Sequence, residues 1–97
     1  MFARVASFEG GDTERLRELN EERRASGSTG MPDGVRRVLF LNDEQGGRRL
    51  FIAFFDSREA LDAAQSQFES MGDEIPEEVR GRRTAVDAYE VLYDGEP

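Results

Sequence analysis

The segment from Val35 to Phe55 places the strongest constraint on how this chain can fold. Its two apolar runs, Val35–Asn42 and Arg49–Phe55, are separated by the polar segment Asp43–Gly47. The glycine pair at the end of that connection supplies the positive-φ conformations that a tight hairpin needs. The segment therefore predicts a β-hairpin.

Both faces of the predicted hairpin are apolar. In its second strand, Phe51, Ala53 and Phe55 alternate with Leu50, Ile52 and Phe54. Side chains along a strand point to opposite faces, and a sheet with one solvated face alternates apolar with polar residues. We therefore expect both faces of the sheet to be covered by other parts of the protein or by a partner.

Composition excludes several classes of function. The chain of 97 residues predicts a single domain, residues 1–97, and its net charge of −8 argues against binding to nucleic acid or to anionic membranes. Histidine and cysteine are absent, which removes the commonest metal ligands and general bases. No apolar run approaches the ~20 residues of a membrane span, and no signal-peptide pattern is present. These features predict a soluble, cytoplasmic protein that works without a metal or cofactor.

The remaining segments predict an alternation of strands and helices. The predicted elements are a strand in Met1–Glu9, a helix capped by Asp12 or Thr13 and running to about Arg24, the hairpin, a helix opened by Asp56 and Ser57 and ended by Gly72, a helical turn from Pro76 to Gly81, and a strand in Thr84–Tyr93. The loop Ala25–Gly34 has two interpretations, a lid over a pocket or a plain connector.

This order predicts an α+β protein with the ferredoxin-like βαββαβ fold, in which two helices cover one face of a four-stranded antiparallel sheet. Right-handed crossovers place both helices on the same face, so the second apolar face stays bare. A bare apolar face of that size is typical of an interface. We therefore expect a homodimer that packs sheet against sheet. The alternative is a monomer whose tail, Asp94–Pro97, folds over the face, but that tail is short and polar.

Several short motifs resemble those of the dimeric α+β barrel superfamily, and within it the antibiotic biosynthesis monooxygenase-like proteins. They are Pro32-Asp33-Gly34-Val35 before the second strand, Gly46-Gly47-Arg48 in the hairpin, Phe55-Asp56-Ser57 and Glu59-Ala60-Leu61 at the second helix, and Val86 with Tyr89-Glu90-Val91 in the last strand. The resemblance implies a dimeric barrel with a cleft between sheet and helices in each subunit. Members include cofactor-free oxygenases of aromatic polyketides, haem-degrading enzymes, small-molecule isomerases and proteins of no known activity.

The chain departs from the family pattern at chemically important positions. The family often has Trp where this chain has Phe55, and the cofactor-free monooxygenases resemble one another in using an Asn and a Trp near the substrate. Haem-binding members usually supply His. The sequence contains neither Trp nor His, so it lacks the residues on which those two specific activities are expected to depend.

The candidate ligand-binding residues are polar or aromatic side chains on apolar strands. Arg37 and Asn42 lie on the second strand and Tyr89 on the last, where they are suited to anchor an anionic or phenolic ligand. Phe55 belongs to a set of phenylalanines that either line an aromatic-substrate pocket or form ordinary core. The alternative for the polar residues is a set of cross-strand ion pairs.

Arg4 is a further charged residue on a predicted strand. In the ferredoxin-like order the first and last strands are neighbours, which places Arg4 within reach of Asp87 or Tyr89 across the pair.

Two hypotheses about function follow. The first is a homodimeric barrel that binds a small aromatic or apolar molecule, as a cofactor-free monooxygenase-like enzyme. The second is a non-catalytic accessory dimer whose barrel is filled by its own side chains. An open cleft lined by aromatic residues favours the first, and a closed one favours the second.

Overall fold

The structure is a computed structural model that describes residues 1–27 and 31–96, apart from the side chains of residues 71–74. Its elements are β1 (Phe2–Glu9), α1 (Thr13–Ser26), β2 (Val35–Asp43), β3 (Arg48–Phe55), α2 (Arg58–Glu74), α3 (Glu77–Arg80) and β4 (Arg82–Glu90). The four strands pair antiparallel in the order β2-β3-β1-β4. The predicted ferredoxin-like α+β fold is confirmed. No helix in the described ranges is long and apolar enough to span a membrane.

The hairpin forms as predicted and sets the register of the sheet. Phe40 lies opposite Phe51, and Asp43 lies opposite Arg48 where the strands meet the turn. Gly47 has φ +65° there, a conformation that residues other than glycine rarely adopt. β3 is an inner strand, paired with β1 on its other side, and this position explains why both of its faces are apolar.

The core lies between α2 and one face of the sheet, which we term the helix face. Its buried apolar residues are Ala6, Phe51, Ala53, Phe55, Leu61, Ala64 and Phe68. The ring of Phe68 meets Phe55 and Phe51 edge-on, with centroid distances of 6.1 and 6.0 Å, an arrangement that aromatic quadrupoles favour. Leu61, Ala64, Phe68 and Met71 recur at the three- and four-residue steps that predict one apolar stripe on this helix. The first three are buried as that spacing predicts, while the side chain of Met71 lies outside the described residues.

The ends of α2 differ in detail from the prediction. Ser57 is the N-cap, and its hydroxyl oxygen accepts a 3.1 Å hydrogen bond from the backbone N–H of Ala60. The helix passes through Gly72, which was wrongly predicted to end it, and continues to Glu74. Ile75 is extended, with φ −104° and ψ 122°. It precedes Pro76, whose ring disfavours the helical conformation in the preceding residue, so the proline decides the end of the helix.

The first helix packs differently, because α1 contains no buried residue. Asp12 is its N-cap, accepting a 3.1 Å hydrogen bond from the backbone N–H of Arg15. The backbone N–H of Asp12 also donates to the carbonyl of Val79 at 2.9 Å, which fixes the start of α1 against α3. Leu16 and Leu19 are only half-buried. The helix is thus attached at its N-terminal end and stands above the sheet along the rest of its length.

The second face of the sheet carries no described helix, and we term it the open face. Register and alternation place Val5, Leu39, Ile52 and Phe54 on it, all half-buried by one another. Leu41 and Tyr89, on the two outer strands of this face, are 46% and 55% exposed. The bare apolar face expected from the sequence is present.

The last strand is shorter than predicted. β4 ends at Glu90 instead of Tyr93, and the backbone N–H of Val91 donates to the carbonyl of Met1 at 2.9 Å. Leu92 and Tyr93 follow as exposed residues.

Candidate ligand cleft

A cleft of about 330 Å³ lies on the helix face, between the four strands on one side and α1, α2 and α3 on the other. It exists because α1 stands above the sheet while α2 packs directly on it. The residues that line it are Arg4, Ala6, Phe8, Leu16, Arg23, Met31, Phe40, Arg49, Leu50, Phe51, Phe68, Glu69, Ile75, Glu77, Arg80, Arg82 and Arg83. The volume is at the lower end of the range of about 300–1,000 Å³ that small-molecule sites occupy.

Four phenylalanines form the apolar part of this cleft. Phe40 and Phe51 are cross-strand partners whose ring centroids are 4.5 Å apart, and Phe68 meets Phe51 from α2. Phe8 lies further along β1. Phe40 is 48% exposed although its strand partner is buried. An apolar ring left accessible beside a cavity is a suitable surface for a planar apolar ligand.

Arg4 lies at the floor of the cleft and is 2% exposed. Its Nε donates to Oε1 of Gln65 at 2.8 Å, its Nη2 lies 3.7 Å from Oε1 of Glu69, and its guanidinium stands 4.4 Å from the ring centroid of Phe68. Burial lowers the pKa of Arg4, Glu69 opposes that change, and the positive charge of Arg83 adds to it. A buried guanidinium needs such partners to offset its loss of hydration.

Glu69 links α2 to the inner strand β1 and the outer strand β4 at the edge of the cleft. Its two carboxylate oxygens accept from Nη1 and Nη2 of Arg83 at 2.9 and 2.8 Å, the fork geometry that strengthens arginine–carboxylate pairs. The hydrogen bond from Arg83 is the main reason that the pKa of Glu69 is lowered. Burial opposes this shift, and the charges of Arg83 and Arg4 reinforce it.

Arg49 is the second buried arginine, 9% exposed, and its environment is different. Its Nη2 donates to Oγ1 of Thr13 at 3.2 Å, while its Nε and Nη1 are shielded from solvent and have no hydrogen-bond partner among the described residues. Nε of Arg80, on the neighbouring α3, is also buried without a partner within the described part of the chain. Two guanidinium groups in one cleft thus retain unused donors.

The charges around the cleft are unlike those of the chain as a whole. Six arginines and two glutamates line it, in a chain whose net charge is −8. Arg4 and Arg83 are paired with Glu69, and Arg82 is paired with Glu9. Within the ranges that the structure describes, Arg23, Arg49 and Arg80 have no ion pair. The cleft is therefore a local basic site on an acidic protein.

The four sequence-predicted ligand residues do not come together, and none is among the described residues that line the cleft. Arg37 and Tyr89 are exposed on the open face, on the two outer strands β2 and β4. Asn42 lies opposite Arg49 on the helix face but is exposed, and Phe55 is fully buried in the core. Their roles in ligand binding stay predictions.

The contact suggested between Arg4 and Asp87 or Tyr89 does not form. The strands are neighbours as expected, but Ala3 is the residue opposite Tyr89 and Val5 the one opposite Asp87, so both lie on the open face. Arg4 is opposite Ala88 and points to the helix face, where it contacts Gln65 and Glu69. The period-two alternation of the strand separates these groups.

Sequence reasoning missed Arg49 and Arg80, whereas Phe40 belongs to the set of phenylalanines proposed as possible pocket lining. A signal for Arg49 was present, because it precedes Phe51, Ala53 and Phe55 on the buried side of β3. An arginine in register with a buried apolar series is an observation that favours a site or a buried ion pair. No group of three or more metal-binding side chains occurs in the described ranges.

Comparison with known proteins supports the fold. The structure of Rv0793 from Mycobacterium tuberculosis matches with a TM-score of 0.62 and 21% identity over 98% of both chains. A MhuD variant, determined with two manganese protoporphyrin IX molecules bound per active site, matches with a TM-score of 0.59 and 17% identity over the whole of both chains. A proposed antibiotic biosynthesis monooxygenase from Chloroflexus aurantiacus gives 0.57 and 12% identity, over 98% of this chain and 96% of that one.

This chain has the fold of the antibiotic biosynthesis monooxygenase-like proteins. The resemblance expected from the sequence motifs is thereby confirmed at the level of the fold. No protein-family model and no curated protein sequence matches the chain. The chemistry of this protein must therefore be argued from its own cleft.

Proposed function

We propose that this monooxygenase-like protein is a homodimer that binds a small aromatic or apolar molecule in the cleft between its helices and its sheet. The observation that carries the proposal is the open volume of about 330 Å³ bordered by the rings of Phe8, Phe40, Phe51 and Phe68. A protein whose interior is filled by its own side chains does not leave a cavity of this size beside an accessible ring. The accessory-module hypothesis is therefore the less favoured of the two.

The cleft offers two kinds of chemistry to such a ligand. Its phenylalanines exclude water and hold a planar ring, and its arginines supply positive charge where an oxygen of the ligand becomes anionic. In the enzymatic form of the proposal, the bound molecule is a phenol-like substrate that is deprotonated and then itself reacts with oxygen. The guanidinium groups would stabilise the phenolate oxygen.

The open face supports the proposed homodimer. Its apolar side chains, including Ile52 and Phe54 on β3, form one surface that ends in exposed Leu41 and Tyr89. A two-fold axis brings the same surface of two copies together, which closes two sheets into a barrel. We expect Ile52→Glu to convert the dimer to a monomer in native mass spectrometry and sedimentation. Ala63→Glu, on the exposed side of α2, should leave the dimer intact.

Ligand binding is tested with a tryptophan reporter, because the chain contains no tryptophan of its own. Phe40→Trp places the reporter in the cleft, and Leu92→Trp, at a position that is 90% exposed, is the matched control. Titration with the neutral dye N-phenyl-1-naphthylamine should change the Trp emission of the first variant, and the second should not respond. Equal responses, or none, would contradict binding in the cleft.

Native mass spectrometry of freshly purified protein supplies an independent test. A dimer that retains an extra organic mass supports the proposal, and a dimer without one, combined with no dye binding, supports an accessory module. Tyr89→Phe and Arg37→Ala test the sequence-predicted residues in the same dye assay. A loss of binding in either variant would assign those residues a role that the cleft geometry does not require.

A further inference from the structure

We propose that the occupant of the cleft is an aromatic carboxylate, whose anionic group is bound by Arg49 and Arg80 and whose ring lies against Phe40 and Phe51. This inference rests on the proposed function, since it specifies the chemical class of the ligand in that same cleft. It is carried by two observations that do not depend on each other. One is the set of buried donors without partners, and the other is the accessible apolar wall beside them.

The guanidinium of Arg49 is the main evidence. It is more than nine-tenths buried, yet among the described residues its only hydrogen bond is to the hydroxyl of Thr13. Nε and Nη1 face protein and not solvent, so a loss of hydration is not offset by any described partner. Burying a charged donor without a partner is costly, and proteins retain such groups mainly where they serve a site.

The surroundings of Arg49 hold its guanidinium with few polar contacts. The single hydrogen bond to Thr13 is 3.2 Å long, and no carboxylate lies within 4.0 Å of the group in the described ranges. Arg49 also lines the cleft, so its guanidinium lies next to the open volume. Arg4, by contrast, is fixed by Gln65 and Glu69. We therefore assign anion binding to Arg49 and not to the more deeply buried Arg4.

Arg80 extends the positive site toward α3. It donates from Nη1 to the carbonyl of Gly81 at 3.3 Å, its Nε has no partner among the described residues, and its guanidinium stands 5.9 Å from the ring centroid of Phe8. Arg49 and Arg80 line the same cleft, and neither has an ion pair within the described ranges. An anion bound there would use the free donors of both groups and offset their like charges.

The walls of the cleft identify the rest of the ligand. A free inorganic anion would gain nothing from the rings of Phe40 and Phe51, whereas an aromatic acid of one or two rings fits a volume of about 330 Å³ and contacts both. The planar fork of a guanidinium also matches the two oxygens of a carboxylate. The combination favours an aromatic carboxylate over phosphate.

The test compares two ligands of the same shape. We expect 2-naphthoate to bind the native protein at least about tenfold more tightly than 2-naphthamide in isothermal titration calorimetry, because only the acid carries a charge for the guanidinium groups. Arg49→Met should abolish that difference by weakening the acid and leaving the amide unchanged. Arg48→Met is the matched control, since Arg48 is the adjacent arginine but forms an exposed ion pair with Asp43.

A stability measurement separates this role from a structural one. Arg49→Met replaces a buried charge without an ion pair by an apolar side chain of similar length, so we expect its thermal midpoint without ligand to rise or stay the same. If Arg49 instead stabilises the fold, the thermal midpoint of Arg49→Met should be lower than that of the native protein. Arg80→Met, at a half-buried position, provides a second variant and should also weaken 2-naphthoate selectively.

The outcomes distinguish this inference from the proposed function. Equal binding of the acid and the amide, or acid binding that survives both variants, would overturn the carboxylate assignment while leaving an apolar cleft. If inorganic phosphate binds in the same calorimetric assay as tightly as 2-naphthoate does, the carboxylate assignment is replaced by a site for free anions. Absence of binding by both naphthalenes and by the neutral dye would overturn the proposed function as well.

Discussion

The two βαβ halves of the molecule use their crossover helices in different ways. α2 buries Leu61, Ala64 and Phe68 against the sheet, whereas α1 buries no residue and leaves Leu16 and Leu19 half-exposed. Both helices lie on the helix face of the sheet. Only the second one completes the core.

The charged groups of the two helices follow the same division. Glu69 on α2 links to Arg4 and Arg83 on the sheet. On α1, the pairs Arg15–Glu18 and Arg17–Glu14 join residues of the helix to one another. Arg17 also forms an exposed 3.4 Å pair with Glu44 in the hairpin turn. One helix is therefore bound to the sheet by packing and buried charge, and the other by backbone contact at its start and exposed charge. The space left under α1 is the cleft, so weak packing in one half of the fold is what creates the candidate site.

The largest expected effect contrasts the two helices directly. Leu61→Ala removes a fully buried side chain and should lower the free energy of unfolding by about 2–5 kcal/mol, because a cavity remains in the core. Leu16→Ala enlarges an open cleft instead, and should cost about 1 kcal/mol or less. Urea unfolding of both variants measures the difference. Equal losses would mean that α1 contributes to the core as much as α2 does.

A second prediction concerns the attachment of α1 at its start. Gly11 has φ +89°, and a Cβ there would lie 2.6 Å from both the backbone nitrogen of Gly81 and the carbonyl of Val79. Gly11→Ala should therefore cost about 2–3 kcal/mol. Gly27, at the other end of the helix, has φ +73° with no described atom within 4 Å of its Cβ position, and Gly27→Ala should cost only about 1 kcal/mol.

Thermal or urea unfolding measures both glycine variants, and hydrogen exchange of the α1 amides locates the effect. Faster exchange throughout α1 in Gly11→Ala, with α2 unchanged, would agree with a helix held at its N-terminal end. A similar cost for both variants would show that the close backbone approach is not what holds α1 in place.

The smallest expected effect is the pH dependence of the link between α2 and the sheet. The pKa of Glu69 is lower in the folded protein than in the unfolded chain, so its stabilising contribution is present above about pH 4.3 and is lost as the pH falls through the lower folded value. Since Glu69 is about half exposed, Glu69→Gln should cost under about 1 kcal/mol at neutral pH.

That difference between Glu69→Gln and the native protein should shrink as the pH falls below about 4.3 and disappear once the native carboxylate is protonated too. Urea unfolding across the acid range is the measurement. Glu90→Gln, at the exposed end of β4, is the control for the substitution itself. A pH-independent cost for Glu69→Gln would indicate that packing, and not charge, is what this side chain contributes.

Much of the fold could be predicted from local sequence patterns. The hairpin follows from two apolar runs around a glycine pair, and the buried stripe of α2 follows from Leu61, Ala64 and Phe68 at helical spacing. The four-stranded order and the bare second face follow from the order of the elements and the handedness of their crossovers. These features depend on neighbours in sequence or on general rules of topology, which the chain carries in itself.

The candidate site required the tertiary structure, because its residues come from all seven helices and strands of the described chain. The position of α1 above the sheet depends on the hydrogen bond between Asp12 at its start and Val79 on α3. No local sequence pattern predicts that contact. The same holds for Arg4. Strand alternation puts it on one face with Ala6 and Phe8, but its partners, Gln65 and Glu69, come from a distant helix.

The sequence by itself therefore determined the elements, their order and the two apolar faces of the sheet, since periodicity and turn chemistry act over a few residues. Only the tertiary structure decided which apolar side chains became core and which became cleft wall. It also decided that Arg49 and Arg80 share one cavity, with unused donors and no carboxylate partner among the described residues. The physical reason is that burial and charge pairing are properties of surroundings, and surroundings exist only after distant segments have packed.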